Sequence, residues 1–163
     1  MNRLAGKVTI VTGGALGLGR AAAERMAQEG AAVAILDMLD DPGAELARTI
    51  QTRGGKAEYW RCDVSSEARV AEVMGDVVAR FGRIDILVNN AGVAGVNKPT
   101  HEITEAEWDW VQAINVKGVF FCTKHAVPHL KRAAAASSTC RRSTAWSAEP
   151  MCRPITPPRA PCA

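Results

Sequence analysis

The first residues with chemistry to offer are the glycines of Thr12-Gly13-Gly14-Ala15-Leu16-Gly17-Leu18-Gly19, followed directly by the helix-forming run Arg20-Ala-Ala-Ala-Glu-Arg-Met. Glycines at this spacing let a backbone turn sharply and come close to an anionic group. A helix beginning there presents unpaired N–H groups and the positive end of its dipole. The chemistry implied is the holding of a pyrophosphate, given a strand that leads into the loop. Asp37 lies 18 residues beyond Gly19, at the end of the next apolar run. A carboxylate there accepts hydrogen bonds from a ribose 2′-hydroxyl and repels a phosphate on the same oxygen. The expected cofactor is therefore NAD rather than NADP, with Arg20 as a cation that softens the preference.

Other reactive side chains carry less. Cys62, Cys122, Cys140, Cys152 and Cys162 form no Cys-x-x-Cys pair and have no histidine at zinc-ligand spacing, so reduced thiols and no metal are expected. Histidine as a residue type invites a catalytic reading, but His101, His125 and His129 belong to no catalytic pattern. Packing roles are expected for them and for Trp108 and Trp110.

The elements that must position the loop are legible around it. Up to about residue 132, short β-branched runs alternate with amphipathic helical stretches, the pattern of βαβ units round a parallel sheet. Strands are expected at 7–11, 32–36, 57–61 and 84–88, each mostly apolar because both faces are covered. Asp41 and Pro42 predict a cap followed by proline at the first helical position. Ser66 opens the next helix, in which Val70, Val73, Met74, Val77, Val78 and Phe81 recur at helical spacing. Thr104-Glu105-Ala106-Glu107 is a capping box that starts a long helix reaching towards Lys131, with Pro128 bending its last turns. The expected architecture is α/β, a Rossmann-like doubly wound parallel sheet that stops after the fourth strand and the long helix that follows it.

Composition bounds the class. With 163 residues and 47% hydrophobic content the chain can bury one core, so a single domain over residues 1–132 is expected. The net charge of +3 is not spread over that domain: residues 1–132 carry 16 basic and 16 acidic side chains, whereas Arg141, Arg142, Arg153 and Arg159 face only Glu149 beyond it. A neutral body lacks the footprint of a nucleic-acid binder. The first apolar run is only five residues long, too short for a signal-peptide core or a membrane span, so a soluble cytoplasmic protein is expected. From Ala133 the character changes, because residues 133–163 hold five of the eight prolines, three of the five cysteines and only Met151 and Ile155 as aliphatic residues larger than alanine. Such a Pro/Arg/Ala-rich tail cannot bury enough apolar surface to offset its ordering entropy, and disorder is expected.

Four motifs in order, Thr12-Gly-x-x-x-Gly-x-Gly19, Cys62-Asp63-Val64, Asn89-Asn90-Ala91-Gly92 and Asn115 inside the long helix, resemble the short-chain dehydrogenase/reductase family over residues 3–132. The resemblance implies hydride transfer between a nicotinamide cofactor and a small secondary alcohol or ketone, in a family whose members are usually homo-oligomers. It implies that Thr12, Gly13, Leu16, Gly17, Leu18 and Gly19 bind the cofactor with Asp37, and that Asp63 and Val64 flank the adenine. Asn89, Ala91 and Gly92 would line the adenosine and steady the central sheet. Asn115 would kink its helix, its main chain holding a water of the proton relay.

That family's chemistry also needs a Ser and, about a dozen residues on, a Tyr-x-x-x-Lys. In this sequence the one tyrosine is Tyr59, in the third strand, and no lysine follows Lys131. Back-translation with the frame moved by one step changes the picture. The four alanines from Ala133 and the residues from Ser137 to Arg142 then permit Gly-Gly-Gly-Ser-Ile-Val-Asn-Val-Ser-Ser. The residues from Arg153 to Cys162 permit Ala-Tyr-His-Ala-Ser-Lys-Gly-Ala-Val if Arg159 has an AGR codon, and Met151-Cys152 must give Val. The shifted Ser falls 13 codons before the shifted Tyr and the Lys four after it, which is the family's spacing. The expectation is a catalytically impaired chain, frameshifted from about residue 133 in a gene for a complete dehydrogenase. A naturally truncated chain with an unrelated basic tail and a non-catalytic dinucleotide-binding fragment are the alternatives. In each case the edge of the fourth strand is left bare, an aggregation hazard.

Overall fold

Each apolar run becomes a strand and each amphipathic stretch a helix in the computed structural model, which describes residues 2–137. The order is β1 (Val8–Thr12), α1 (Gly17–Gln28), β2 (Ala32–Asp37), α2 (Asp40–Thr52), β3 (Lys56–Arg61), α3 (Glu67–Phe81), β4 (Ile86–Val88), α4 (Glu105–Gln112) and α5 (Gly118–Ser137). A 3₁₀ turn (Thr100–Glu102) precedes α4, and one turn of π-helix (Ala113–Lys117) joins α4 to α5. The four strands form one parallel sheet in the order β3-β2-β1-β4, so every connection crosses over through a helix. This is the α/β, doubly wound Rossmann-like arrangement that the sequence predicts.

Alternation along the strands sends side chains to two separate cores. Ile10, Ala34 and Leu36 meet Val70, Val73, Met74 and Val77 of α3 and Cys122 and Ala126 of α5. Val11, Val33 and Ile35 point the other way, against Ala23 of α1 and Leu46, Ala47 and Ile50 of α2. Val70, Val73, Met74 and Val77 of α3 are fully buried, and each contributes about 1.5–3 kcal/mol by leaving water. β1 lies between β2 and β4 and is buried at all five positions, whereas β4 pairs with β1 alone among the described residues and forms an edge.

Several local expectations are modified, each for an identifiable reason. β4 starts at Ile86 rather than 84, because the Asp85 carboxylate takes over at the start of the pairing: its Oδ2 accepts the Val8 N–H at 3.0 Å while its own N–H donates to the Val8 carbonyl. α2 starts at Asp40, with Leu39 as its capping residue, so Pro42 occupies the third helical position rather than the first. Proline is tolerated there because the first turn's N–H groups have no helical acceptor. The Ser66 cap and the Thr104/Glu107 capping box form as expected, and Gly82 ends α3 in the left-handed region at φ 82°. The long helix expected from Thr104 is instead α4, a π turn and α5. α5 runs through Pro128 to Ser137, past the compositional change at Ala133, consistent with alanine's strong helix propensity. Residues 138–163, where the frame-shifted segment and most of the expected disorder fall, lie outside the described residues. No helix among the described residues is long and apolar enough to cross a membrane.

Candidate cofactor site

The carboxyl ends of the parallel strands carry most of the residues that the sequence singles out. β1 ends at Thr12, and the chain then turns through Gly13 (φ 61°) and Gly17 (φ 55°), both in the left-handed region that glycine adopts without strain. α1 begins at Gly17 with no side-chain cap and no acidic residue in its first turn, in contrast to the capped starts of α3 and α4. Its first N–H groups have no side-chain cap, and Leu16 and Leu18 beside them are 52% and 84% exposed. Such a turn accepts an anion at the positive end of the helix dipole.

Two further segments hold the loop in shape. A Cβ on Gly19 would lie 2.0 Å from the Gly13 carbonyl oxygen and 2.5 Å from Asn90 Nδ2, and one on Gly13 would lie 2.8 Å from Ala91 Cα. Loop, helix and the segment after β4 therefore meet backbone to backbone, with no room for side chains. Asn90 Nδ2 donates to the carbonyls of Thr12 and Gly13, both at 3.0 Å. Thr12 Oγ1 accepts the N–H groups of Asn90 and Ala91 at 3.0 Å and donates to the Val88 carbonyl. Asn90 is the positioning residue that sequence reasoning missed. Its neighbour Asn89, which was singled out, reaches across to Thr123 Oγ1 at 3.2 Å instead. The doubled Asn was the available signal, but alternation decides which of the two faces the loop.

Asp37 ties β2 to the same loop. Its Oδ2 accepts the Ala15 N–H at 2.9 Å, and its Oδ1 accepts those of Met38 and Leu39 at 2.7 and 3.2 Å. A half-buried carboxylate fixed by three backbone donors keeps lone pairs free for hydroxyl donors. Arg20, the cation set against the NAD preference, lies 3.6 Å from both Glu24 and Glu45. The glycine cradle, the uncapped helix start and the acceptor at Asp37 together fit an adenine dinucleotide.

The remaining singled-out residues are more dispersed. Asp63 Oδ1 accepts from the N–H and hydroxyl of Ser65 and so shapes the turn into α3. The Val64 side chain is buried and packs on Gly118, where a Cβ would come within 2.7 Å of it. Asn115 lies in the π turn, and its amide makes a two-point contact with Val93, accepting the N–H at 2.9 Å and donating to the carbonyl at 2.8 Å. It thereby connects the segment after β4, Gly92 included, to the helix pair.

The Cys62 and Cys122 thiols and the Tyr59 phenol are held protonated at neutral pH. Burial raises the thiols of Cys62 and Cys122 to about 11 and about 12. Burial, reinforced by the hydrogen bond to Asp40, pushes the Tyr59 phenol above its ordinary range. His125 sits against Glu67 at 3.2 Å, and His101 is exposed beside Glu102. Among the described residues no three His, Cys, Asp or Glu side chains are grouped to hold a metal ion. A concavity of about 850 Å³ opens at the opposite, amino-terminal end of the sheet, lined in part by Lys7, Lys56, Arg80 and Arg83. Asp85 and Glu58 pair three of those cations, and the negative ends of α1, α2 and α3 converge there, so it is a poorer anion site than the glycine loop.

Known proteins resemble this chain over the same stretch. The family described as short chain dehydrogenase matches residues 7–138. The 3beta-hydroxysteroid dehydrogenase of Mediterraneibacter gnavus is 35% identical over 127 residues, 78% of this chain and 46% of that protein. Cis-4-hydroxycyclohexanecarboxylate dehydrogenase of Sinomonas cyclohexanicum is 42% identical over 128 residues, 78% of this chain and 51% of that protein. The crystal structure of a 3-ketoacyl-ACP reductase from Sinorhizobium meliloti 1021 superposes with a TM-score of 0.76 at 36% identity, covering 78% of this chain and 50% of the other. The chain spans about half the length of the curated relatives it matches.

Proposed function

The chain belongs to the short-chain dehydrogenase family, whose members are NAD(P)-dependent oxidoreductases, and on that premise we propose that its described residues are the NAD-binding part of an enzyme acting on a small secondary alcohol or ketone. The observation that carries this reading is the backbone-to-backbone cradle at Gly13 and Gly19 with Asp37 anchored beside it. The N–H groups of Gly17, Leu18 and Gly19 would hold the pyrophosphate, with Thr12, Gly13 and Leu16 shaping the turn. Asp37 would accept from the adenosine ribose, Asp63 and Val64 would bound the adenine, and Asn89, Ala91 and Gly92 would line the adenosine. Asn115, through the π turn, would present the main chain that holds a relay water. When bound, the nicotinamide supplies hydride exchange with a carbinol carbon. The cyclic alcohols in the names of the hydroxysteroid and hydroxycyclohexanecarboxylate dehydrogenases support a secondary alcohol as the substrate class.

NAD is favoured over NADP because Asp37 is an anion, and because Glu24 and Glu45 already hold the Arg20 guanidinium. Catalysis by this polypeptide is impaired in our reading. Its single tyrosine is engaged with Asp40 in β3, and its sequence contains no Tyr-x-x-x-Lys. Absence of a positioned acid/base removes about 10²–10⁴-fold in rate. Calorimetric titration with NAD tests the binding half of the proposal: a measurable affinity that Asp37→Ala weakens supports it, and no heat from the wild-type chain refutes it. Restoring the frame near the codon for Arg132 tests the rest, with NAD-dependent oxidation of cyclic alcohols expected from the corrected product only.

A non-functional fragment is the second reading. It is favoured by the edge of β4, unpaired among the described residues, together with the exposed Trp108, Trp110 and Phe120, surfaces that promote aggregation. The same titration separates the two.

A further inference from the structure

The last registered pair between β2 and β3 is Asp37 with Arg61. Registered residues of neighbouring parallel strands leave the sheet on the same face, about 4.8 Å apart. Yet no ion pair joins these two among the described residues. Asp37 gives its carboxylate to backbone N–H groups, and the Arg61 guanidinium turns to Asp40 Oδ2 at 2.5 Å. Tyr59, two residues before Arg61 and so on the same face, completes the arrangement. Its hydroxyl lies 2.8 Å from Asp40 Oδ1 and 3.0 Å from the Asp37 carbonyl oxygen. The ring reaches that position because residue 43 is glycine, where a Cβ would stand 2.3 Å from it. Arg61 and Asp40 are 57% and 55% exposed, so a ligand that reaches Asp37 meets them from solvent.

We propose that Asp40 is a cofactor-selectivity residue, which holds the Arg61 guanidinium and so denies a ribose 2′-phosphate the cation registered beside Asp37. The inference rests on the reading of the glycine loop as a dinucleotide site. NAD and NADP differ only in that phosphate, which carries close to two negative charges. Near Asp37 it meets the Asp40 carboxylate as a second anion. The hydrogen bond from Tyr59, then the pairing with Arg61, holds the Asp40 carboxyl below its usual range, so it is ionised at neutral pH. Tyr59 is a positioning residue here, aiming the carboxylate at Arg61. Asp37 excludes the phosphate by repulsion, and Asp40 removes the alternative of paying that repulsion back with a neighbouring cation.

The test is calorimetric titration of the full chain with NAD and with NADP, at low and high salt, for the wild type, Asp40→Asn, Arg61→Gln and the double variant. Asp40→Asn is expected to tighten NADP binding about tenfold relative to NAD, the scale of one partly screened charge interaction. The gain should shrink at high salt and fall clearly in the double variant, leaving only the relief of the Asp40 repulsion, which identifies Arg61 as the recruited cation. Asp40→Ser, checked by circular dichroism, replaces the Asn variant if that one does not fold. A ratio of affinities that changes by less than about twofold, while NAD still binds, overturns the proposal, and so does a gain that survives intact in the double variant. A wild-type chain that binds neither nucleotide overturns the dinucleotide reading itself, and this inference with it.

Discussion

Replacing Gly19 with alanine puts a Cβ 2.0 Å from the Gly13 carbonyl oxygen, 2.8 Å from its carbonyl carbon and 2.5 Å from Asn90 Nδ2. Ordinary contact between such atoms is about 3.5 Å, so the loop must retreat by more than an ångström. None of the crowding atoms is the end of a flexible side chain: two are backbone, and Asn90 is pinned by its bonds to Thr12 and Gly13. Overpacking of this kind costs about 1–3 kcal/mol. Alanine in place of glycine in a helix returns up to about 1 kcal/mol, because Gly19 lies in the first turn of α1. The net loss of stability is therefore about 0–3 kcal/mol, a fall in Tm of up to about ten degrees for a domain of this size. The effect on NAD should be larger, since the displaced atoms are the ones that form the cradle. A loss of at least about tenfold in affinity, or about 1.4 kcal/mol, is expected. Gly75→Ala is the control. It lies inside α3 with nothing within 4 Å of its would-be Cβ, so it should raise stability slightly and leave NAD affinity alone. Differential scanning calorimetry and NAD titration of both variants make the comparison. Wild-type affinity and wild-type Tm in Gly19→Ala would refute the reasoning.

Two other perturbations probe how the site is supported. Asn115→Leu removes both hydrogen bonds to Val93 and should cost about 1–2 kcal/mol in urea unfolding; an unchanged midpoint would mean that the contact does not hold the segment after β4. Glu67 joins α3 to α5 through Lys124 at 2.6 Å and His125 at 3.2 Å, contacts that depress its carboxyl, with the hydrogen bond from Lys124 the larger cause. A depressed acid stabilises the fold above its unfolded pKa, about 4.3, and that stability is lost as pH falls through the lower folded value. The Tm difference between wild type and Glu67→Gln should therefore be full at pH 7 and shrink as pH falls below the unfolded value, and a difference that does not fall with pH there would contradict the assignment.

Much of the fold is legible from short-range signals. The period of Val70, Val73, Met74 and Val77 specifies the buried face of α3, and Ser66 and Thr104 mark helix starts because their hydroxyls accept N–H groups only three residues away. The glycines of the loop are equally readable, since a tight turn between a strand and a helix has few other solutions. A kink at Asn115 was expected only from the family resemblance, and its form as a π turn was not readable in the residues. Helix-forming residues run through it without a breaker, and the widened turn goes with contacts of Asn115 to Val93 and of Gly118 to Val64, residues far away along the chain. The start of β4 was misplaced for a similar reason. Asp85 interrupts an apolar run only because its carboxylate meets Val8, 77 residues earlier.

By itself, then, the sequence determined the strand and helix succession, the phosphate-type turn and the acidic residue beyond it, all of which depend on residues near one another. Tertiary structure alone decided that Asn90 rather than Asn89 supports the loop, that Arg20 reaches Glu45 on the neighbouring helix as well as Glu24 one turn along its own, and that Asp37 stands in register with Arg61 while Asp40 holds that arginine. The last of these depends on strand register. A shift of one residue would move each side chain to the other face of the sheet, and register is settled only when both cores are packed.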